Sequence, residues 1–582
     1  MSAAKSEIRD GMQIDWDIGI EMDDGLVLRA DVFRPVSKGQ YPVILSYGPY
    51  AKGLAFQEGY PSAWERMAEK HPDVTAGSSN LYQSWEVVDP EKWVPDDYIC
   101  VRVDSRGCGN SPGYVDHFSP RETLDFSRCI EWAGVQSWSN GKVGLNGISY
   151  YGINQWHVAT LQPKHLAACC IWEGSADWYR DMTHHGGILS TFWENWYDMQ
   201  VKTVQHGLGE RGPRSRVTGE VVCGSKTLSD AELLENRGDL GAEIRAHPLD
   251  DKYHRARSPI WSKVKVPLLS AANWGGQGLH PRGNFEGFTR AASKDKWLEA
   301  HGIEHWTEFY TDYGVQLQKR FFDHFLKGKD NGWDKQPKVK LQVRHIDSFV
   351  ERDEEDWPIP RTRWTQFHLH SDGMRLSESV PEKVSSISFD ALGDGVTFLS
   401  EPLEAETELT GPSALKVSIS SSTVDADLFA ILRVFAPDGE EVVFQGAIDP
   451  HTPIAQGWLR ASHRKLDKQL SKPWRPYHTH DKKEPLVPGT PVVLDVEVWP
   501  TCIVIPVGYK IGLSIRGNDY VYSKATGARL SNFKNELTGC GPFLHNDPTD
   551  RPNEIFGGKT TLHLDSDQGT YLLLPIIPPA SV

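Results

Sequence analysis

One serine, Ser149, stands in a run of small residues, Lys142-Val-Gly-Leu-Asn-Gly-Ile-Ser-Tyr-Tyr-Gly152. Val143 to Leu145 reads as the end of a short buried strand, and Gln155 to Leu161 has helical character. A strand, a tight turn and a helix hold a serine hydroxyl exposed at the top of a sheet. Gly147 and Gly152 fit that turn, because the strand and helix backbones approach so closely that a Cβ would clash. Tyr151 stands where the Gly-x-Ser-x-Gly pattern has its second glycine. From this stretch alone, a glycine-rich turn with an exposed serine would read the same. A serine hydroxyl is a weak nucleophile, so it needs a base in contact and a carboxylate to orient that base.

The elements around the serine alternate. Met12 to Ile20 and Leu26 to Phe33 read as antiparallel strands about the turn at Asp23-Asp24-Gly25. Pro42 to Ser46, Tyr98 to Val103, Leu166 to Trp172, Val266 to Ala271 and Lys296 to Ala300 read as buried strands. Glu122 to Gly134 and Gln316 to Leu326 carry apolar residues at helical spacing. Strands alternating with helices imply a mainly parallel sheet with helices on both faces. In an α/β-hydrolase sheet the base lies in the loop after the last strand. His305, in His301-Gly-Ile-Glu-His-Trp-Thr-Glu308, has that place, whereas His301 at the strand end suits packing.

The alternation predicts an α/β-hydrolase domain in two parts, residues 1–174 and 260–336, around a helical cap at 175–259 rich in Trp, Tyr and His. A polar linker at 327–337 precedes a change of periodicity to two. Leu415, Val417 and Ile419 alternate with polar neighbours, as do Leu494, Val496 and Val498. An all-β β-sandwich, taken as a jelly-roll domain, is expected over 337–582.

The formal charge of −16 argues against nucleic acid or an anionic membrane as the main partner. Twenty-one tryptophans would suit a deep apolar pocket. The first residues lack the apolar core of a signal peptide, no apolar run approaches a membrane span, and the eight cysteines lack metal-type spacing. A soluble cytoplasmic protein with reduced cysteines is expected. His184-His185 and His478-Thr-His480 come without matching carboxylate or cysteine spacing, so they read as exposed or hydrogen-bonded side chains, not metal ligands. Asp104, in a glycine-rich loop, reads as a turn stabiliser. Neither a metal nor an organic cofactor is expected.

The motifs Pro49-Tyr-Ala-Lys52, Asp104 to Gly113, Asn140 to Gly144, Gly147 to Gly152, Trp458 to Arg464 and Leu574 to Pro578 occur in one order along the chain. In that order they resemble the cocaine esterase and X-prolyl dipeptidyl acyl-peptidase family of serine hydrolases. The resemblance covers nearly the whole chain. The family's elbow is Gly-x-Ser-Tyr-x-Gly, so Tyr151 is no defect. The resemblance implies an oxyanion hole made by the Tyr50 hydroxyl and the Tyr150 backbone N–H. It also implies an aspartate in a Trp-x-Asp motif after the strand ending at Ala271. This chain has Trp274-Gly275-Gly276 there instead. Glu173, at the end of the strand after the nucleophile, is the favoured replacement, with Glu304, Glu308 or a Ser–His dyad as alternatives.

The expected reaction is hydrolysis of a small-molecule ester or activated amide, with Ser149 attacking and His305 shuttling the proton. X-Pro dipeptidyl-peptidase, acyltransferase or lyase activity at the same site, and a non-catalytic ligand-binding protein, are the alternatives. The sequence sets neither oligomeric state nor substrate.

Overall fold

The structure is a computed structural model and describes residues 5–529, 533, 535–564 and 569–579. One sheet has eleven strands: β1 (Lys5–Arg9), β2 (Met12–Glu21), β3 (Val27–Pro35), β4 (Tyr41–Gly48), β5 (Ile99–Asp104), β6 (Ser139–Ile148), β7 (Leu166–Trp172), β8 (Leu268–Asn273), β9 (Lys296–His301), β10 (Val339–Arg344) and β11 (Phe349–Glu354). Their spatial order is β1-β2-β3-β5-β4-β6-β7-β8-β9-β10-β11. Every neighbouring pair from β5 to β10 is parallel. These central strands are apolar runs because helices cover both faces; all six residues of β5 and of β8 are buried.

The helices carry the expected start and stop signals. Ser119 caps α1 (Pro120–Gly134) by accepting the Glu122 N–H, and Pro120 takes the first position, where its missing N–H costs nothing. Helix α2 (Tyr150–Leu161) is buried on nearly every side, so it lacks a polar face. Helix α3 (Pro281–Arg290) again opens on proline. Thr311 caps α4 (Asp312–Lys327), which ends on Gly328 in the left-handed region.

The first sheet does not end at the 327–337 linker. Strands β10 and β11, expected in the C-terminal sheet, extend the first one instead, β10 pairing parallel with β9 and antiparallel with β11. A two-residue periodicity marks a strand and leaves open which sheet it joins.

Between β7 and β8 the chain forms the cap, built of short helical turns such as Phe192–Trp196 and Leu240–Ala246 and a hairpin of His184–His185 with Ile188–Leu189. The cap is tied to the C-terminal region: Arg180 donates to the carbonyls of His478 and Thr479, and the Arg460 N–H bonds the Gly186 carbonyl.

That region holds a second eleven-stranded sheet. Tyr571–Ile577 pairs with both Arg363–His370 and Thr407–Ser421, so the sheet closes on itself as a barrel, which protects its edges. Leu415, Val417, Ile419, Leu494, Val496 and Val498 all face its core. All eight cysteines are buried and unpaired. Among the described residues no helix is long and apolar enough to cross a membrane.

Candidate active site

Five strands adjacent in space, β4, β6, β7, β8 and β9, each deliver a chemical group just past their C-terminal ends. Tyr50 follows β4, Ser149 follows β6, Glu173 follows β7, His280 follows β8 and His305 follows β9. This is the edge where parallel α/β sheets bind ligands.

Ser149 occupies the turn between β6 and α2 with φ 54° and ψ −114°, a conformation that L-residues rarely adopt. The flanking glycines are required by contact. A Cβ on Gly147 would collide with the Tyr151 side chain, and one on Gly152 would lie 2.8 Å from the Trp172 carbonyl oxygen. The Ser149 hydroxyl lies 3.0 Å from Nε2 of His280.

His280, unlike the expected His305, is therefore the imidazole in contact with the serine. The glycine-rich turn after β8 carries it, with its N–H bonded back to the Gly276 carbonyl and Pro281 opening α3 behind it. Its ring is buried, and among the described residues Nδ1 has no hydrogen-bond partner. Burial and the nearby His305 hold its pKa well below 6.5, with Glu173 working in the opposite direction.

His305 is held differently. Its Nδ1 donates to Glu173 at 2.7 Å, the predicted contact, but its Nε2 meets Glu86 at 2.8 Å and not the serine. A neutral imidazole has one N–H and could serve only one of these carboxylates. Burial lowers its pKa, yet Glu173 and Glu86 outweigh that and raise it to about 10. Both ring nitrogens of His305 are therefore turned to carboxylates, and neither faces Ser149.

Glu173 is fully buried at the end of β7, and its second oxygen accepts from His301 at 3.0 Å and from Asn273 at 3.2 Å. Burial pushes its pKa up, but the two histidines win and bring it to about 2. His301 bonds Glu299 in turn at 2.7 Å. The result is an alternating buried chain of carboxylates and imidazoles, Glu86–His305–Glu173–His301–Glu299. Burial raises Glu86 to about 7, despite its bond to His305 and the nearby Trp85 indole, and among the described residues its Oε2 makes no well-formed hydrogen bond. Of the alternative acids, Glu304 pairs with Lys70 and Glu308 with Gln342.

Glu173, His280 and His305 each offer a donor atom within 4.8 Å of the others, spacing that could also hold a metal ion.

The Tyr50 hydroxyl accepts a hydrogen bond from the Trp196 indole at 2.9 Å. Its loop is fixed by Asp104, which accepts the backbone N–H groups of Lys52 and Asn110 at 2.6 and 2.8 Å. The Tyr150 N–H is the first of α2, and helix geometry leaves it without an intrahelical acceptor. The tyrosine rings meet edge to face, 6.1 Å apart. His184, His185 and His480 are buried and hydrogen-bonded elsewhere, to Thr183, His545 and His463.

Residues 24–307 match the family model of X-Pro dipeptidyl-peptidase (S15 family), and residues 331–572 that of the X-Pro dipeptidyl-peptidase C-terminal non-catalytic domain. A CocE/NonD family hydrolase from Staphylococcus aureus is 30% identical with a TM-score of 0.83, over 97% of this chain and 94% of that one. The chain belongs to the cocaine esterase and X-Pro dipeptidyl-peptidase family of serine hydrolases. A family member from Rhodococcus sp. (strain MB1 Bresler), named cocaine esterase, is 24% identical over 73% of this chain and 80% of its own length. An α-amino acid ester hydrolase shares the fold at 15% identity, TM-score 0.64 and 98% coverage of both chains.

Sequence reasoning missed His280, Glu86 and His301 as members of this constellation. A signal for His280 was present, since it lies four residues past Gly276, in the very loop where the family places its acid. Glu86 lies in a stretch without periodicity and gave none.

Proposed function

We propose that Ser149 hydrolyses a small-molecule ester through an acyl-serine intermediate, with His280 as its base. The observation that carries this is the 3.0 Å contact between Ser149 Oγ and the buried His280 imidazole. Ser149 attacks the ester carbonyl while its proton passes to His280 Nε2. The oxyanion that forms takes hydrogen bonds from the Tyr50 hydroxyl and the Tyr150 N–H. Collapse expels the alcohol, which takes the proton from His280. Water then attacks the acyl group by the same route and releases the acid. Glu173 acts at one remove: it fixes His305, and its negative charge favours protonation of His280. The test is labelling by a fluorophosphonate beside hydrolysis of p-nitrophenyl acetate. Wild type should do both, and Ser149→Ala and His280→Ala should do neither.

One observation favours a second reading, cleavage of substrates with a free α-amine. The buried Oε2 of Glu86, which makes no well-formed hydrogen bond among the described residues, could receive an ammonium group. Faster hydrolysis of an amino acid ester than of its N-acetylated form would select this reading.

A further inference from the structure

We infer that Trp196, on the cap, is a positioning residue for the oxyanion hole. It aims the Tyr50 proton and thereby makes the hole complete only when the cap is seated. This rests on the reading of Ser149 and Tyr50 just given.

The indole N–H is a donor only, so in the 2.9 Å contact the Tyr50 oxygen must accept. A phenol has one proton, and among the described residues the Tyr50 hydroxyl has no protein acceptor for it. The bond from Trp196 occupies the oxygen from one side and leaves the proton to point elsewhere, toward an incoming carbonyl oxygen. It also makes the phenol a better donor: burial pushes the Tyr50 pKa well up, and the Trp196 bond works in the opposite direction.

Trp196 touches the other half of the hole as well. Its ring stacks on Tyr150 at 5.9 Å and 13°, and meets the Tyr50 ring edge-on at 6.3 Å. One buried cap residue thus contacts both residues that would supply oxyanion donors. It closes the cap helix Phe192–Trp196, whose Trp193 indole is itself anchored to the Met182 carbonyl. The donor is therefore held by the cap, whereas Tyr50 is held by the sheet.

A kinetic double-mutant cycle with p-nitrophenyl acetate tests this. Trp196→Phe keeps a flat ring and removes the N–H. It is expected to lower kcat about tenfold, as for a lost hydrogen bond that acts on a developing charge, with KM changed less than about threefold. In a Tyr50→Phe background the same substitution should cost less than about twofold. Equal losses in both backgrounds, or a change confined to KM, would overturn the inference and leave Trp196 as packing. Circular dichroism checks folding, and Trp196→Met carries the same cycle should the Phe variant not fold. An active Ser149→Ala variant would sink the underlying mechanism. An inactive one with an additive cycle would sink only the role of Trp196.

Discussion

The rings of His280 and His305 lie parallel, 4.7 Å between centroids and 10° between planes. One faces the serine, and burial holds its pKa well below 6.5; the other lies between two carboxylates, which raise its pKa to about 10. Hydrogen-bond partners alone set the two imidazoles apart.

The division predicts unequal mutants. His280→Ala should lower kcat about a thousandfold or more, the usual cost of losing a base from a serine nucleophile. His305→Gln should cost about ten- to a hundredfold, because it removes charge and order near the base. Steady-state kinetics on both variants decide; the reverse ranking would return the base role to His305.

At Ser149 the backbone conformation adds a second readout. Ser149→Gly should abolish hydrolysis and also raise stability by roughly 1 kcal/mol, since glycine adopts without strain the positive-φ conformation that strains a serine. Chemical denaturation measures the gain. A loss of that size would show that the turn holds no strain.

Tyr50→Phe should lower kcat about ten- to a thousandfold with little change in KM, because the hydroxyl acts on charge that exists only in the transition state. If KM alone rises, Tyr50 belongs to the pocket wall.

The pH dependence follows from the displaced pKa values. A base held well below 6.5 stays deprotonated in mild acid, so the acid limb of kcat/KM should fall below pH 6.5. A limb at pH 7 or above would identify a different titrating group.

Glu173→Gln should destabilise the fold by about 3 kcal/mol, because it removes the carboxylate that two buried imidazoles share and leaves each with one acidic partner. His305 is raised from 6.5 to about 10, so its share is full below pH 6.5 and lost as the pH climbs toward 10. Glu173 is lowered from 4.5 to about 2, so its share is full above pH 4.5 and lost below it. The stability gap between wild type and variant should therefore peak between about pH 4.5 and 6.5. Denaturation of both proteins at pH 5.5 and pH 9 measures it, and a wider gap at pH 9 would contradict the assignment.

Much of this was legible in the chain. Leu166–Trp172 was read to the residue, and the other strands named for the parallel sheet to within two or three, because doubly buried strands are apolar runs between turn signals. The elbow was legible because close backbone contact demands glycine at 147 and 152. The contact of Glu173 with His305 was legible from strand order together with the missing aspartate of the family's Trp-x-Asp motif. What sequence reasoning missed was the loop after β8, which it did not weigh as a source of the imidazole. His280 and His305 both follow adjacent parallel strands, and only side-chain packing decides which ring faces Ser149. Glu86 could not be found, because the segment before β5 is placed by tertiary contact and carries no pattern of its own.

Arg282, two residues past His280, is buried and clamped between Asp181 of the cap at 2.8 Å and Glu497 of the barrel at 2.9 Å. The loop that carries the imidazole is thus braced by parts of the chain 101 and 215 residues away. Gene truncation is accordingly a closed evolutionary route here. A shortened descendant would keep its serine and sheet but lose half the brace beside His280. The barrel, named non-catalytic in its family, holds one side of the loop that carries His280.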